Sequence, residues 1–331
     1  MLIKIITVLN PSVSMGHYKR SLLLRKTLKK RNHSVELTVL EKDPYTSLLQ
    51  QYEESLVKKN FNFIIFDISN KLIFTKNLLN LIEKIITKYS YKVVITDSLG
   101  KDAIHLLIKR KNFILHLPYF LSKNDFNILN KKYKFSMLGL KFSIVDKLKT
   151  NKPRLEQKPK ILITFGASDK FNKSYNFLKS IVKICNIKIL FIVGPFFKSK
   201  LVKKIKKLEK KTNNLKIVKF KDTLIKYLSY SDMIITNSGL SKYESIFTKK
   251  PVMVIYETKE LFKMNKNFIK EKLAFNFFYD KRKLEAICQK FIQKKFNFIS
   301  HIKNREKILS SNLDNNFEKY LSKIYKKENP T

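Results

Sequence analysis

The sequence predicts two doubly wound α/β domains in tandem, each Rossmann-like, with a parallel sheet covered by helices on both faces. Three observations predict it. Short, near-continuous apolar runs alternate with longer stretches of helical period, the pattern of parallel strands buried on both sides. The alternation breaks once, at the polar, proline-bearing segment Asp146–Lys160, and restarts at Ile161. The 331 residues also exceed what one core of about 150 residues accommodates. The domains are therefore expected at 1–150 and 151–331, facing each other across a cleft at their strand ends, where ligands bind in such pairs.

In the first half the expected strands are Ile3–Leu9, Ser34–Leu40, Phe61–Ile68, Tyr91–Thr96 and Asn112–Leu117. Helical period marks Tyr18–Lys30, Tyr45–Lys58, Lys76–Lys88 and Lys101–Lys109, and Leu121–Val145 is less regular. In the second half, strands are expected at Lys160–Phe165, Ile187–Val193, Leu215–Phe220, Met233–Thr236 and Val252–Tyr256. Helices fit Lys173–Ile184, Lys198–Lys211, Leu224–Ser229, Leu240–Phe247, Phe262–Lys272 and a C-terminal run from Lys281 to Tyr325.

The formal net charge is +43, yet only seven of the 69 basic residues are arginine. Arginine is the preferred fork for phosphate and guanine, so a specific nucleic-acid role is not expected. The densest cluster, Lys198–Lys211, places Leu201, Ile205 and Leu208 on one face and reads as a solvated amphipathic helix. The excess charge leaves a peripheral attraction to anionic membrane. No uncharged apolar run reaches the roughly 18 residues of a membrane span, and MLIKIITVLN lacks the layout of a signal peptide. A cytoplasmic monomer is expected. Cys185 and Cys288 have neither metal spacing nor a framework role, and no cofactor or metal is indicated.

Glycine is the informative rarity. Six occur, Gly16, Gly100, Gly139, Gly166, Gly194 and Gly239, against about 23 for average usage. Five follow an apolar strand-like run, which marks candidate ligand turns. The first is NPSVSMGHYKR, residues Asn10–Arg20, a strand-to-helix turn that puts His17 near a helix N-terminus, where backbone N–H groups favour an anion. Phe165–Asp169 is a small-residue turn suited to phosphate, although Ser168 and Asp169 fit helix capping equally well. It is not the full dinucleotide fingerprint. Thr236–Glu244 places Ser238 and Gly239 at a helix start, with Glu244 a turn and a half in, where a carboxylate suits ribose hydroxyls. Asp67 and Asp97 end apolar strands on the same rim as His17, and either suits orienting it, with capping as the other role. His116 ends another strand and is a further candidate for the cleft. His33, His105 and His301 read as surface or helix-packing residues.

Taken in order, GHYKR after a first strand, TFGASD after a mid-chain strand and NSGLSKYES after a late strand resemble the UDP-2,4-diacetamido-2,4,6-trideoxy-β-L-altropyranose hydrolases of pseudaminic acid synthesis. More distantly they resemble spore-coat-type polysaccharide proteins and the lipid II-forming UDP-GlcNAc transferase. Gly139–Lys147, GLKFSIVDK, resembles the segment before that family's interdomain link. The resemblance implies a GT-B fold, a UDP-sugar substrate held mainly by the C-terminal domain, and cleavage at C1 with inversion and without metal. It implies His17 as the catalytic residue acting on water, with Gly16 and Arg20 of the same turn binding substrate. Gly166, Ser168 and Asp169 would lie at the phosphates. Ser238, Gly239, Leu240 and Glu244 would hold diphosphate and ribose, and Asp97 is a further candidate for substrate contact. The sequence departs from the family pattern at Val8, where an acid is usual, at Ser14 and Ala167, where glycines are usual, and at Tyr256–Leu261, which lacks the Asn-Gln pair.

The expected function is a UDP-sugar hydrolase of surface-polysaccharide or nonulosonic-acid synthesis. The alternatives are a GT-B glycosyltransferase, with His17 as base for an acceptor hydroxyl, and a non-catalytic protein that binds nucleotide-sugar or nucleic acid.

Overall fold

The computed structural model describes residues 1–9, 15–40, 43–68, 75–99, 103–145, 158–184, 186–248, 250–293 and 313–328. Ser14, Gly100, Cys185, His301 and all but the last three residues of the expected linker lie outside them. The chain groups into two compact units, Met1–Ile144 with Ser311–Thr331, and Val145–Ser310.

In the first unit the strands are β1 (Leu2–Val8), β2 (Ser34–Leu40), β3 (Phe63–Asp67), β4 (Val93–Thr96), β5 (Ile114–Leu117) and β6 (Phe135–Leu138). They form a six-stranded sheet in the order β2-β1-β3-β4-β5-β6, with every pairing parallel. Alternate residues serve opposite faces. Ile6, Val8, Ile64 and Phe66 meet helices α2 (Pro44–Gln51) and α3 (Lys76–Tyr89), whereas Ile3, Ile5, Phe63 and Ile65 meet Leu24 and Leu28 of α1 (Gly16–Lys29). Helix α3 shows why these stretches are helical. Leu78, Leu81, Ile82, Ile85, Ile86 and Tyr89 recur at three- and four-residue spacing and are all buried, and the Thr75 side chain caps the start by accepting from Leu78 N.

Three elements differ from the sequence expectation here. The irregular stretch contains helix α5 (Lys123–Lys132) and strand β6, and the helix expected at Lys101–Lys109 is only α4 (Ile104–Leu107) among the described residues.

The second unit repeats the plan. Strands β7 (Lys160–Thr164), β8 (Lys188–Val193), β9 (Leu215–Lys219), β10 (Met233–Asn237), β11 (Val252–Tyr256) and β12 (Phe275–Phe278) pair in parallel in the order β12-β11-β10-β7-β8-β9. Its helices are α6 (Ser174–Ile181), α7 (Ser199–Lys210), α8 (Ile225–Tyr230), α9 (Leu240–Ile246), α10 (Lys259–Met264), α11 (Lys266–Lys270) and α12 (Leu284–Gln293). Cys288 is buried in this core, and burial pushes its thiol up to about 12. Strand β12 goes beyond the strands read from sequence.

The last described helix, α13 (Leu313–Glu328), departs from the expected 151–331 grouping, because it packs on the first unit. Phe317 lies edge-on to His116 with centroids 4.9 Å apart, and Tyr320 meets Phe142 at 5.7 Å. The Tyr320 hydroxyl accepts from Ser136 N at 3.0 Å, and Phe317, Leu321 and Ile324 are buried with α1 and β1.

Both strand orders reverse direction once. The chain moves from β1 outward to β2, then crosses back to β3; it runs β7, β8, β9, then crosses back to β10. The crevices outside the carboxyl ends of β1/β3 and β7/β10 are thus the topological switch points, where ligands bind in sheets of this kind.

Candidate functional site

At the first switch point, α1 begins at Gly16, so His17, Arg20 and Ser21 share one face at i, i+3 and i+4. All three reach the carboxylate of Asp67, the last residue of β3, which is paired with Thr7 of β1. His17 Nδ1 lies 2.7 Å from Asp67 Oδ1. Arg20 grips the same group as a fork, donating from Nη2 to Oδ1 at 2.5 Å and from Nε to Oδ2 at 2.8 Å. Ser21 Oγ donates to Oδ2 at 3.2 Å, and Thr7 Oγ1 donates to the Asp67 carbonyl at 3.1 Å. Arg20 Nη1 also donates to the Tyr119 hydroxyl at 3.4 Å.

The network fixes the imidazole tautomer. A carboxylate only accepts, so the 2.7 Å contact puts a proton on His17 Nδ1, and Arg20 Nη2, 3.3 Å from the same nitrogen, is a close approach of two donors. In the neutral imidazole the lone pair is then on Nε2, to which no described residue hydrogen-bonds. Burial alone would raise the Asp67 carboxyl, but the charge and hydrogen bonds of Arg20, then of His17, hold it well below the usual carboxylate range. Burial would likewise lower Arg20, and Asp67 with Tyr119 more than offsets this, raising the guanidinium above its ordinary value. The result is a fixed anion behind a half-buried imidazole, a geometry that supports proton abstraction at Nε2.

Of the two acids left open by the sequence, Asp67 orients His17. Asp97 does different work. It is fully buried, and its carboxylate accepts from the backbone N–H of Ser98 (2.7 Å), Ile104 (3.3 Å) and His105 (2.6 Å), and from His105 Nδ1 (2.5 Å). It caps α4 instead of facing a substrate. Arg20 also departs from its expected substrate role, since its guanidinium is buried and committed to Asp67 and Tyr119. Gly16 is open, with nothing within 4 Å of where a Cβ would lie. His116 is a core residue. Its ring contacts Thr96 Oγ1 and the Phe142 carbonyl, both at 3.0 Å, and burial lowers its pKa to about 3. His105 is buried against Asp97, and half-buried His33 pairs with Glu318 at 3.3 Å.

At the second switch point the turns after β7 and β10 are tied together. Gly166 takes φ +73°, a left-handed value that suits glycine. Beneath it, a Cβ on Gly194 would fall 2.3 Å from the Ala167 carbonyl oxygen, so close backbone approach requires glycine there too. Asn237 is the tie. Its Nδ2 donates to the Phe165 carbonyl at 3.1 Å, and its Oδ1 accepts from Gly239 N at 3.3 Å. Thr236 Oγ1 and Ser241 Oγ, 2.6 Å apart, join the strand end to α9. Ser168, Ser238 and Leu240 are half-buried and Gly239 is exposed, so this rim is accessible, while Glu244 is buried within α9. Asp169 was expected at the phosphates. Its carboxylate instead accepts from Lys173 N (3.0 Å), Ser174 N (3.1 Å) and Ser174 Oγ (2.5 Å), which caps α6.

Sequence reasoning passed over two buried groups beside this rim. Glu257, directly after β11, is pushed up to about 8 by burial and by the negative charge of Asp169, partly opposed by a hydrogen bond from Asn237 and by Lys173. Lys242 in α9 is lowered to about 7 by burial. Its Nζ donates to Asn265 Oδ1 and lies 4.6 Å from the Tyr243 ring centroid and 4.9 Å from that of Phe268. Among the described residues, no group of three or more His, Cys, Asp or Glu is arranged to hold a metal, and no helix is long and apolar enough to cross a membrane.

No family model matches the chain. It is 26% identical over 285 residues to an uncharacterized protein of Methanocaldococcus jannaschii, matching 78% of this chain and 56% of that protein, so it spans little more than half of its relative's length. Among solved structures it is similar to a glycotransferase of kitacinnamycin, with a TM-score of 0.67 at 10% identity and 99% of both chains covered. It is also similar to HepE of Anabaena in complex with UDP, with a TM-score of 0.60, 10% identity and 99% of both chains covered. A third is WaaG, a glycosyltransferase involved in lipopolysaccharide biosynthesis, with a TM-score of 0.57, 8% identity and full coverage of both chains. The chain has the GT-B fold.

Proposed function

We propose that this chain is a glycosyltransferase that takes its sugar from a UDP-activated donor. The observation that carries the reading is the His17–Asp67–Arg20 array at the first switch point, with the lone pair of Nε2 unengaged by described residues. In this reading His17 Nε2 accepts the proton of an acceptor hydroxyl. The oxygen attacks C1 of the sugar as the C1–O bond to UDP breaks, with inversion. Asp67 holds the imidazole and stabilises the imidazolium, and Arg20 fixes Asp67. The tied turns of the second unit take the nucleotide: Gly166 and Ser168 with Ser238, Gly239 and Leu240 at the diphosphate, and Glu244 at the ribose. Asp169 acts indirectly, by holding the Gly166 turn onto α6. UDP bound by a protein of the same fold supports the choice of nucleotide.

The ordered motifs GHYKR, TFGASD and NSGLSKYES favour a second reading, in which water replaces the acceptor and the protein is a UDP-sugar hydrolase of nonulosonic-acid synthesis. One experiment separates the two. The protein is incubated with UDP-N-acetylglucosamine or UDP-glucose, with and without a panel of hydroxyl acceptors, and UDP release is measured. Transfer predicts release only with an acceptor, lowered about 10²–10⁴-fold in His17→Ala with UDP affinity unchanged. Release without acceptor, lost in the same variant, selects hydrolysis. Failure to bind UDP at all refutes both.

A further inference from the structure

Among the described helices of ten or more residues, α5 alone buries none of its side chains. Of its three large apolar side chains, Leu129 packs half-buried against the core, whereas Phe126 is 37% exposed and Ile128 53%. Leu106 and Leu107 at the end of α4 are 47% and 46% exposed. A hydrogen bond and a ring contact link α4 to the residue that follows α5. Tyr133, directly after α5, donates its hydroxyl to the His105 carbonyl at 3.1 Å, and its ring lies edge-on to His105. Lys111 Nζ donates to the same carbonyl at 2.8 Å.

The corner is also strongly basic. From Ala103 to Lys134 the sequence carries seven Lys or Arg and one acid, Asp125, and that acid is engaged by its own helix cap through Ser122. Lys131 and Lys132 lie three and four positions beyond Ile128 and share its helix face, and Lys109 and Arg110 follow Leu107 after one buried residue, Ile108. All four are exposed. Helix α7 makes the contrast. It holds more lysines, but its Leu201 and Ile205 are buried, so its outer face is charge alone.

Exposed leucine and isoleucine flanked in sequence by lysine and arginine complement a surface that is apolar below and anionic above. Nucleic acid accounts for the charge but not for the aliphatic side chains. We infer that the α4–α5 corner docks this protein on the surface of an anionic lipid bilayer, with Leu106, Leu107 and Ile128 entering the headgroup boundary and the flanking cations pairing with lipid phosphates. The inference does not depend on the proposed transfer reaction and stands or falls without donor turnover.

Co-sedimentation with vesicles tests it, using phosphatidylcholine alone and with a quarter of phosphatidylglycerol, at physiological salt. The wild type is expected to partition onto the anionic vesicles only. Lys131→Glu/Lys132→Glu should weaken partitioning about tenfold or more. Leu106→Ser/Ile128→Ser should weaken it about tenfold and abolish the fraction that resists raised salt. The control Lys204→Glu/Lys207→Glu removes equal charge from α7 and should stay within about twofold, because screening limits charge effects to about 8 Å. Every substituted side chain is exposed, and circular dichroism melting checks that the fold is kept. The inference is overturned if the wild type does not bind, if the α7 control loses as much as the α4–α5 variants, if the serine variant binds normally, or if a 20-nucleotide single-stranded RNA displaces the vesicles.

Discussion

The Arg20–Asp67 pair lends itself to a double-mutant cycle. Both side chains are almost fully withdrawn from water, 6% and 4% exposed, so the pair falls outside the regime of solvent-screened surface pairs, which contribute about 0–1 kcal/mol. Removing one partner leaves the other as an uncompensated buried charge, at a cost of about 3–5 kcal/mol. Asp67→Asn is harsher than its shape suggests. Both carboxylate oxygens face only donors, His17 and Arg20 at Oδ1 and Arg20 and Ser21 at Oδ2. Whichever way the amide turns, its NH₂ meets an N–H or O–H. Arg20→Met leaves the carboxylate with His17 and Ser21 alone. The double variant Arg20→Met/Asp67→Asn removes both charges and should cost no more than either single variant. Urea unfolding followed by circular dichroism should therefore give two single costs of about 3–5 kcal/mol and a coupling of about 3 kcal/mol. The acid limb supplies an independent sign. The folded pKa of Asp67 lies below its ordinary 3.8, so its contribution is complete above that value and is lost as pH falls toward the folded pKa. Asp67→Asn should flatten that limb. Additive single costs, with a coupling under about 1 kcal/mol, would refute the buried-pair argument.

Three further outcomes are expected. Gly194→Ala forces a methyl to within 2.3 Å of the Ala167 carbonyl oxygen, so it should lower stability by about 1–3 kcal/mol and weaken UDP binding, read by calorimetry. Glu257 is raised from 4.5 to about 8, so its contribution is full below pH 4.5 and is lost as pH rises to about 8. Glu257→Gln should remove that decline, by at most about 5 kcal/mol, in urea midpoints taken across the window. Lys242 is lowered from 10.5 to about 7, so stability rises as pH climbs between those values. Lys242→Met should erase that rise, and an unchanged slope in thermal melts would rule out a buried neutral amine.

How much of this was legible in the sequence follows from what is local and what is not. Central strands announced themselves because helices on both faces make nearly every residue apolar, as in FIIFD, whose one polar residue closes the strand, and VMVIY. The two strands that went beyond the sequence reading, β6 and β12, are sheet edges, and at an edge less of the pattern is demanded: FSML and FNFF interleave polar or half-buried residues. The return of α13 to the first unit rests on contacts between residues such as Phe317 and His116, which no periodicity encodes. In the site, the turns around His17, Gly166 and Ser238 were visible because glycine, a strand end and a helix start leave a local signature.

Their partners were visible only as a class. Asp67, Asp97, Asn237 and Glu257 share one signature, a polar residue closing an apolar strand, and Asp169 follows a turn of the same kind. What sorts them is strand order. Asp67 closes β3, which the crossover places beside β1, so its carboxylate meets the start of α1. Asn237 closes β10, which the second crossover places beside β7, so its amide ties the Gly166 turn. Asp97 follows β4, one strand away from the first reversal, and the nearest unsatisfied groups there are the N–H groups of its own helix, which it caps. Asp97 and Asp169 cap the helices that follow them, whereas Asp67 meets the start of α1, a second helix that the crossover brings within reach.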